Sequence, residues 1–291
     1  MWKQLLKLMR PKQWIKNGFV FTGYIFSNEY TNPTLLPKAI LTFIAFCFVS
    51  SCIYTFNDIL DCEKDRLHPK KKFRPIAAGT VTLSQAYVLS VFLGVMGLII
   101  GWWVSLAVVW ILIAYILMNI LYTIKLKKIV ILDVFCISAG FMLRIFAGTI
   151  GIGIPPSQWL LLCGLSITLF LGFAKRRAEL MTKSAERREV LEKYSPTILD
   201  QILAICATSS ILAYSLYTMS PDTIRLHKTD HLIYTVPFVI YALFRYIYLL
   251  HKKKKGEDPS QELIKDPHIL AAVLGWALLT FFLIKGSIHG Y

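Results

Sequence analysis

The 291-residue chain lacks the features of an ordinary soluble domain. It contains only 17 acidic residues, 17% of its side chains are charged, and 56% of its residues are hydrophobic. No polar stretch between its apolar runs is long enough to fold as a separate soluble domain. This composition predicts a polytopic membrane protein. We therefore expect a single integral-membrane domain over residues 1–291.

The chain also lacks a cysteine framework. Its six cysteines show no paired spacing and mostly lie inside apolar runs, which excludes a disulfide framework and a zinc site. Residues 1–12 lack a short apolar core followed by a small-residue cleavage site, so we expect no removable signal peptide. The net charge of +15 is explained by basic loops on one side of a bilayer. We therefore predict a lipid bilayer as a partner and no nucleic acid.

Nine apolar segments approach the length of about 20 residues that a spanning helix needs. They are residues 14–30, 36–56, 82–101, 103–122, 130–150, 157–174, 198–218, 232–250 and 268–286. The pattern predicts an all-α bundle of nine transmembrane helices. Gly101 and Trp102 alone separate the third and fourth segments, which predicts a tight antiparallel hairpin.

The basic residues predict the topology. With the N-terminus inside, the inner segments contain 26 Lys and Arg residues and the outer segments contain four. This bias predicts a cytoplasmic N-terminus and an external C-terminus in a multi-pass plasma-membrane protein. Residues 57–65, 122–128 and 175–179 then share the cytoplasmic side, where we expect them to form one site.

The first candidate site lies at the polar end of the second apolar segment. It contains Asn57, Asp58, Asp61 and Asp65, and the aspartates are spaced i, i+3, i+7. On a helix these four side chains fall within an arc of roughly 100°. Oxygen ligands on one face suit Mg²⁺, which binds through carboxylates, waters and substrate phosphates. The alternative interpretation is a solvated acidic helix end, but the membrane context favours a metal site.

Two basic segments are candidates for phosphate binding. Residues 70–79 follow the aspartates directly and include Arg74 in a small, proline-restricted turn. The sixth apolar segment ends in Lys175, Arg176 and Glu179, which share one helical face. Cations beside Mg²⁺ stabilise a diphosphate leaving group. Anchoring to anionic headgroups and stop-transfer charge are the alternatives.

Arg144 lies inside the fifth apolar segment, eleven residues after Asp133. The two positions are about 16 Å apart along a helix, so Arg144 is expected well inside the bilayer. An ionisable residue at that depth faces the bundle interior by default. Ligand contact and structural pairing both remain open for it.

These motifs resemble the UbiA superfamily of intramembrane prenyltransferases. Asn57-Asp58-x-x-Asp61-x-x-x-Asp65 resembles its first aspartate motif, Tyr122-x-x-Lys125 is similar to its Tyr-x-x-Lys element, and nine helices match its fold. Aromatic members carry a second aspartate-rich motif after the sixth helix, where this chain has Lys175-Arg176-Arg177-Ala178-Glu179. That substitution resembles the branch containing decaprenyl-phosphate phosphoribosyltransferase, as do residues 10–17, 73–79, 140–144, 266–267 and Trp276.

The branch resemblance implies an Mg²⁺-dependent transferase. It would move a 5-phosphoribosyl group from 5-phosphoribosyl 1-diphosphate to a polyprenyl phosphate, release diphosphate, and work at the cytoplasmic face. The implied metal ligands are Asn57, Asp58, Asp61 and Asp65, and the implied catalytic residues are Asp58, Asp61, Lys175 and Arg176. The implied substrate-binding residues are Lys16, Asn17, Arg74, Tyr122, Lys125, Arg144 and Glu179. The sequence is compatible with a homo-oligomer.

Three other functions compete with this one. A UbiA-type prenyltransferase would move an isoprenyl group from its diphosphate to an aromatic acceptor. A transporter would also place charges in the membrane, but it would usually need a polar path to the outer side, whereas the polar groups here concentrate on one face. A non-catalytic scaffold has no use for three aspartates on one face.

Overall fold

The computed structural model of the chain describes residues 2–27, 32–69, 71–181, 189–252 and 266–288. Throughout these ranges the regular structure is helical, as the sequence predicts. Some of the basic residues in the topology count, namely Lys70, Lys183, Arg187, Arg188, Lys253, Lys254, Lys255 and Lys265, lie outside the described residues.

The α-helices are numbered here in chain order. The first six are α1 (Trp2–Met9), α2 (Thr22–Phe26), α3 (Leu35–Leu60), α4 (Cys62–Leu67), α5 (Leu83–Val104) and α6 (Leu106–Ile124). The others are α7 (Leu132–Ala147), α8 (Gln158–Met181), α9 (Pro196–Met219), α10 (Pro221–His227), α11 (Val236–Lys252) and α12 (Pro267–Ile288). Short 3₁₀ helices cover Pro11–Phe21, Lys71–Phe73, Leu126–Lys128, Ile150–Ile152, Glu189–Lys193 and His231–Thr235.

Eight helices in the described ranges are long and apolar enough to cross a membrane. This confirms an all-α, polytopic membrane protein, whereas the predicted count of nine α-helical spans is not reproduced. The predicted first span, 14–30, is instead a 3₁₀ helix, Pro11–Phe21, followed by the short α2, as far as it is described. The orientation of the N-terminus stays a prediction.

The 3₁₀ helix runs antiparallel to α3. Trp14 donates to Ser51 Oγ at 3.0 Å, near the end of α3, while Phe21 packs on Phe43, two turns closer to its start. A 3₁₀ helix rises about 2.0 Å per residue, so Pro11–Phe21 and α2 together extend roughly 30 Å, close to the hydrocarbon thickness of a bilayer. Apolar length alone cannot distinguish this stretched helix from an α-helix, which explains the difference from the prediction.

The hairpin of α5 and α6 also differs in detail. Ser105, and not Gly101 and Trp102, is the single residue between the two helices. Its backbone is extended, and its hydroxyl accepts from the Val108 amide at 3.2 Å, which caps α6. The predicted break therefore lies a turn too early.

The chain forms two compact units, which are described separately. Unit 1 contains the residues up to Leu126 together with Gly140–Pro156; unit 2 contains Lys127–Ala139 and the residues from Ser157 onward. The prediction of one domain over residues 1–291 stays a prediction.

In unit 1, α3 is the central helix and packs along α5, the 3₁₀ helix, α1 and α6. A Cβ atom at Gly97 would lie 2.6 Å from Val49 Cγ2, so the glycine lets α5 approach α3 closely. A smaller apolar cluster lies under the polar end of α3 and consists of Leu8, Ile59, Cys62, Ile76, Val81 and Ala86. This cluster ties α1, α4 and the loop before α5 into one support.

In unit 2, α8 packs against α9, and α11 packs against α12. Phe170 and Tyr246 meet edge to face at 5.6 Å in its core. Asp266 joins α11 to α12, because it pairs with the Arg245 guanidinium and accepts from the Ile269 amide at the start of α12. The hydrogen bonds from Arg245 lower the pKa of Asp266 to about 2.

Candidate functional site

The polar end of α3 brings the predicted aspartates together. Asp61 joins α3 to α4 with φ −89° and ψ 3°, and its amide bonds to the Asn57 carbonyl at 2.9 Å. The chain therefore continues its helical path, and Asp58 and Asp65 remain on one face, as the spacing predicts. Both are buried, whereas Asp61 is partly exposed.

Two arginines neutralise this acidic face. Arg74 Nη1 lies 3.0 Å from Asp58 Oδ1 and 2.6 Å from Asp65 Oδ2, so one cationic nitrogen bridges both carboxylates. Arg10 Nη2 also donates to Asp58 Oδ1, at 2.5 Å, and its guanidinium carbon lies 5.3 Å from the centre of the Tyr54 ring. Because both carboxylates are buried, these ion pairs compensate for the hydration that the carboxylates have lost.

The backbone holds Arg74 in a defined turn. The Ala78 amide donates to the Arg74 carbonyl at 2.8 Å, the Thr80 amide donates to the Pro75 carbonyl at 3.0 Å, and Gly79 has a positive φ of 71°. Glycine adopts that conformation without the cost that a Cβ adds. The loop therefore has the ordered turn that its sequence predicts.

A hydrogen bond joins the end of α6 to the polar end of α3, which carries the aspartates. Thr123 Oγ1 donates to Asn57 Oδ1 at 2.9 Å, which joins the two helix ends within unit 1. Tyr122 lies beside that threonine, and Lys125 is exposed at the C-terminus of α6. The structure thus brings Tyr122 and Lys125 to the end of α6 that adjoins Asn57.

Asn17 and Arg144 are bonded to each other inside unit 1. Arg144 donates to Asn17 Oδ1 at 2.8 Å, to the Gly140 carbonyl at 2.6 Å and to Tyr115 Oη at 3.0 Å. The same guanidinium lies 4.8 Å from the centre of the Tyr115 ring and faces two further aromatic rings. Neutral acceptors and aromatic faces therefore stabilise a buried cation here. Lys16, next to Asn17, is partly exposed on the 3₁₀ helix.

In unit 2, the segment at the end of α8 has buried and exposed cations. Arg176 is fully buried; its Nε donates to Asp133 Oδ2 at 2.5 Å and its Nη1 donates to Glu179 Oε2 at 2.7 Å. Lys175 is 36% exposed, and its ammonium lies 3.9 Å from Glu179 Oε1. Arg177 faces another direction and pairs with Asp200 through two hydrogen bonds of 2.8 and 3.1 Å.

A tyrosine completes the buried pair. Tyr194 Oη donates to Asp133 Oδ1 at 2.9 Å and accepts from the Ile131 amide at 2.6 Å. Burial, and secondarily the Asp133 carboxylate, raises the pKa of the Tyr194 phenol, so it stays a neutral donor. Both carboxylate oxygens of Asp133 thus have a partner, as a buried charge requires.

With this geometry established, comparison with known proteins identifies the family. The pattern of the UbiA prenyltransferase family matches residues 18–264. The chain belongs to the UbiA prenyltransferase family. This confirms the resemblance that the aspartate motif indicates, and it makes the protein a transferase embedded in a membrane.

Two UbiA relatives share similarity over almost the whole chain. A decaprenyl-phosphate phosphoribosyltransferase of Mycolicibacterium smegmatis is 35% identical over 286 residues, 94% of this chain and 89% of the relative. The protein of the same name from Corynebacterium glutamicum is 33% identical over 94% of this chain and 84% of its own. A solved structure of a UbiA homolog from Archaeoglobus fulgidus, bound to DMAPP and Mg²⁺, has a TM-score of 0.71 at 15% identity, with 98% of each chain covered. At that identity it supports the fold alone.

A divalent cation fits the aspartate face of this UbiA chain. Within the described ranges, no group of three or more His, Cys, Asp or Glu side chains is placed to hold a metal. Asp58 and Asp65, however, already share one cationic atom, Arg74 Nη1. Carboxylates that converge on one point, with waters and phosphate oxygens completing the shell, are the ligands that Mg²⁺ takes.

The structure also reveals residues that sequence reasoning did not select. Arg10 lies within residues 10–17, one of the segments that carry the family resemblance, so its charge could have marked it as a site residue. Thr123 follows Tyr122 directly, and Asp133 opens α7. Tyr194 had no sequence signal, because a tyrosine 61 residues from its partner belongs to no motif.

Proposed function

We propose that this UbiA protein transfers the 5-phosphoribosyl group of 5-phosphoribosyl 1-diphosphate to a polyprenyl phosphate. The observation that carries the proposal is the cationic end of α8, where aromatic prenyltransferases have a second acidic motif. Arg176 is already enclosed by Asp133 and Glu179, so this segment contributes positive charge and does not act as a second metal site. Similarity to two phosphoribosyltransferases over 94% of the chain supports the same assignment.

The donor diphosphate is proposed to bind at the polar end of α3. Asp58, Asp61 and Asp65 would hold Mg²⁺, with Asn57 beside them, and the ion would neutralise charge on the departing diphosphate. Arg74 would then donate to a phosphate oxygen, because its present partners would be engaged by the metal. Two hydrogen bonds from a guanidinium match a phosphate group well.

The other predicted residues supply phosphate contacts and shape. Lys175 and Arg176 are proposed to stabilise a phosphate, Lys175 by direct contact and Arg176 through Glu179, which orients them. Tyr122 and Lys125 would line the mouth at the end of α6.

Three further residues of unit 1 are proposed for substrate binding. Lys16 and Asn17 are proposed for the ribose 5-phosphate or the lipid phosphate. Arg144 is proposed to act on the substrate from inside unit 1. The three groups that accept its hydrogen bonds are neutral, so these bonds do not cancel its positive charge.

The acceptor needs no strong base in this mechanism. The lipid phosphate oxygen is anionic at neutral pH and attacks the anomeric carbon as the bond to diphosphate breaks. Cationic side chains hold the departing diphosphate, which leaves with the bonding electron pair. We propose that this occurs at the cytoplasmic face of the plasma membrane, with the isoprenoid tail among apolar helices.

One pair of reactions tests the proposal. The purified protein receives phosphoribosyl diphosphate labelled in the ribose plus polyprenyl phosphate, or labelled prenyl diphosphate plus 4-hydroxybenzoate. We expect label in the lipid extract of the first mixture as phosphoribosyl lipid. Product in the second mixture alone would refute the proposal in favour of aromatic prenyl transfer.

A substitution tests the metal site separately. Asp58→Asn keeps the shape of the side chain but removes its charge, so we expect Mg²⁺-dependent turnover to fall at least about 100-fold. Glu63→Gln is the matched control, because Glu63 is exposed and pairs only with Arg66 in the described ranges. Full activity of Asp58→Asn would remove that residue from the ligand set.

A further inference from the structure

The start of α7 contains a strained residue. Ile131 has a φ of 69°, in the left-handed region that a β-branched residue rarely adopts. Such strain persists only where the surrounding structure imposes it. Leu132–Ala147 begins directly after Ile131, so this conformation sets where Asp133 lies.

One side chain holds the strained backbone and the buried acid together. The phenolic oxygen of Tyr194 accepts from the Ile131 amide at 2.6 Å and donates to Asp133 Oδ1 at 2.9 Å. Tyr194 is itself buried and follows the 3₁₀ helix Glu189–Lys193. The tyrosine therefore fixes Asp133 relative to the backbone two residues before it.

The second oxygen of Asp133 fixes α8. It accepts from Arg176 Nε, and Arg176 Nη1 donates to Glu179, whose other oxygen lies 3.9 Å from the Lys175 ammonium. Gly172, one turn before Arg176, makes room for this contact, since a Cβ there would lie 2.6 Å from Val134 Cγ1. A continuous chain of polar contacts thus runs from Ile131 to Lys175.

The residues of this network of polar contacts differ in their solvent exposure. Asp133, Arg176 and Tyr194 are buried, whereas the side chains of Glu179 and Lys175 are 21% and 36% exposed. A buried guanidinium that already bonds two carboxylates cannot reach a dissolved phosphate without breaking those bonds. The Lys175 side chain is 36% exposed, so its ammonium can meet a phosphate at the protein surface.

We infer that Tyr194 and Asp133 are positioning residues that act through Arg176 and Glu179 to hold Lys175 for contact with a diphosphate or phosphate group. The inference rests on the proposed phosphate-binding role of the Lys175 segment. It adds the residues that set the geometry of that segment and assigns the direct contact to Lys175. It does not depend on whether the group belongs to a phosphosugar or to a prenyl donor.

Chemical labelling of Lys175 tests the inference without turnover. The full-length protein in detergent reacts with an amine-selective reagent over a range of inorganic diphosphate concentrations with Mg²⁺, and mass spectrometry measures modification of Lys175. In the wild type we expect diphosphate to protect the lysine. In Tyr194→Phe we expect half-protection to need about tenfold more diphosphate, because a lost hydrogen bond to a charged group costs about that factor.

Two further variants make the result specific. Tyr241→Phe removes a tyrosine hydrogen bond outside this network, the one between Tyr241 and His268, and should leave half-protection unchanged. Ile131→Gly combined with Tyr194→Phe should move half-protection only part of the way back towards the wild type, because glycine tolerates a positive φ without support while the hydrogen bond to Asp133 is still missing. If Tyr194→Phe does not fold, this double variant carries the comparison.

Several outcomes would overturn the inference. They are an absence of protection in the wild type, an equal shift in Tyr241→Phe, or half-protection at the wild-type diphosphate concentration in the Tyr194 variants. Failure of the proposed function has a different signature, namely no phosphoribosyl transfer while diphosphate still protects Lys175.

Discussion

Replacing Arg74 by methionine tests whether this arginine and a divalent cation compete for the same carboxylates. Methionine has a similar length and no charge, so Arg74→Met removes the cationic nitrogen that bridges Asp58 and Asp65. Both carboxylates are buried and would then face each other with less compensation. Arg10 remains on Asp58, but no other ion pair to Asp65 exists in the described part of the chain.

The expected loss of stability can be bounded. Removing one partner of a buried pair costs about 3–5 kcal/mol. The side chain of Arg74 is 29% exposed and Arg10 still compensates Asp58, so we expect about 2–3 kcal/mol. For a chain of 291 residues that corresponds to a decrease in melting temperature of roughly 3–5 °C.

Magnesium should restore part of this loss. Because the guanidinium no longer occupies the site, Mg²⁺ binds the folded variant more tightly, and a ligand at 100 times its Kd stabilises the folded state by about 2.7 kcal/mol. We expect added Mg²⁺ to raise the melting temperature of Arg74→Met by several degrees more than that of the wild type. Thermal unfolding of the detergent-solubilised protein, with and without MgCl₂, measures both effects.

Arg66→Met is the control for this experiment. Arg66 pairs with Glu63 on the surface, where the side chains are 51% and 84% exposed, so its loss should cost under about 1 kcal/mol. A wild-type melting temperature for Arg74→Met, or the same response to Mg²⁺ in both variants, would refute the competition.

Three further outcomes follow from other contacts, each checked by thermal unfolding. Arg144→Lys should destabilise the protein by about 2–4 kcal/mol, because an ammonium cannot reproduce the planar set of three hydrogen bonds. Gly172→Ala should cost about 1–3 kcal/mol, since the new methyl group would lie 2.6 Å from Val134 Cγ1. Asp266 has a lower pKa in the folded than in the unfolded protein, so its pairing with Arg245 stabilises the fold above about pH 5 and this contribution is lost as the pH falls towards 2. The stability difference between wild type and Asp266→Asn should shrink over that range, and a constant difference would contradict the assignment.

The aspartate motif and the membrane class were predictable from sequence because both depend on local pattern. Helical spacing alone places Asp58 and Asp65 on one face, and the structure brings them within reach of one nitrogen atom. Likewise, eight of the nine predicted apolar segments correspond to helices long and apolar enough to cross a membrane in the described residues. In each case the decisive quantity, angular position or segment length, is a function of neighbouring residues.

The partners of the charged residues were less predictable because they depend on packing between distant segments. For Arg144, the sequence does not decide between contact with a ligand and pairing with another residue of the protein. Its hydrogen bond to Asn17 joins residues that are 127 positions apart. The 3₁₀ helix Pro11–Phe21 likewise packs against α3, a segment distant from it in sequence, and its apolar content does not reveal its geometry. No pattern within a single segment contains this information.

The burial of Arg176 shows why charge counts alone are a poor guide to substrate contact. A basic cluster at a helix end indicates either a phosphate-binding site or the cytoplasmic side of the membrane. Both interpretations treat the basic residues of the cluster as equivalent. In the structure three consecutive cations have three different environments: Lys175 is partly exposed beside Glu179, Arg176 is enclosed by two carboxylates, and Arg177 pairs with Asp200. A guanidinium suits the enclosed position because its fork satisfies two acids at once, and an ammonium suits the exposed one because it is compact and strongly hydrated. The order of residue types along the segment therefore matches the proposed roles, in which Arg176 supports the segment and Lys175 contacts the phosphate.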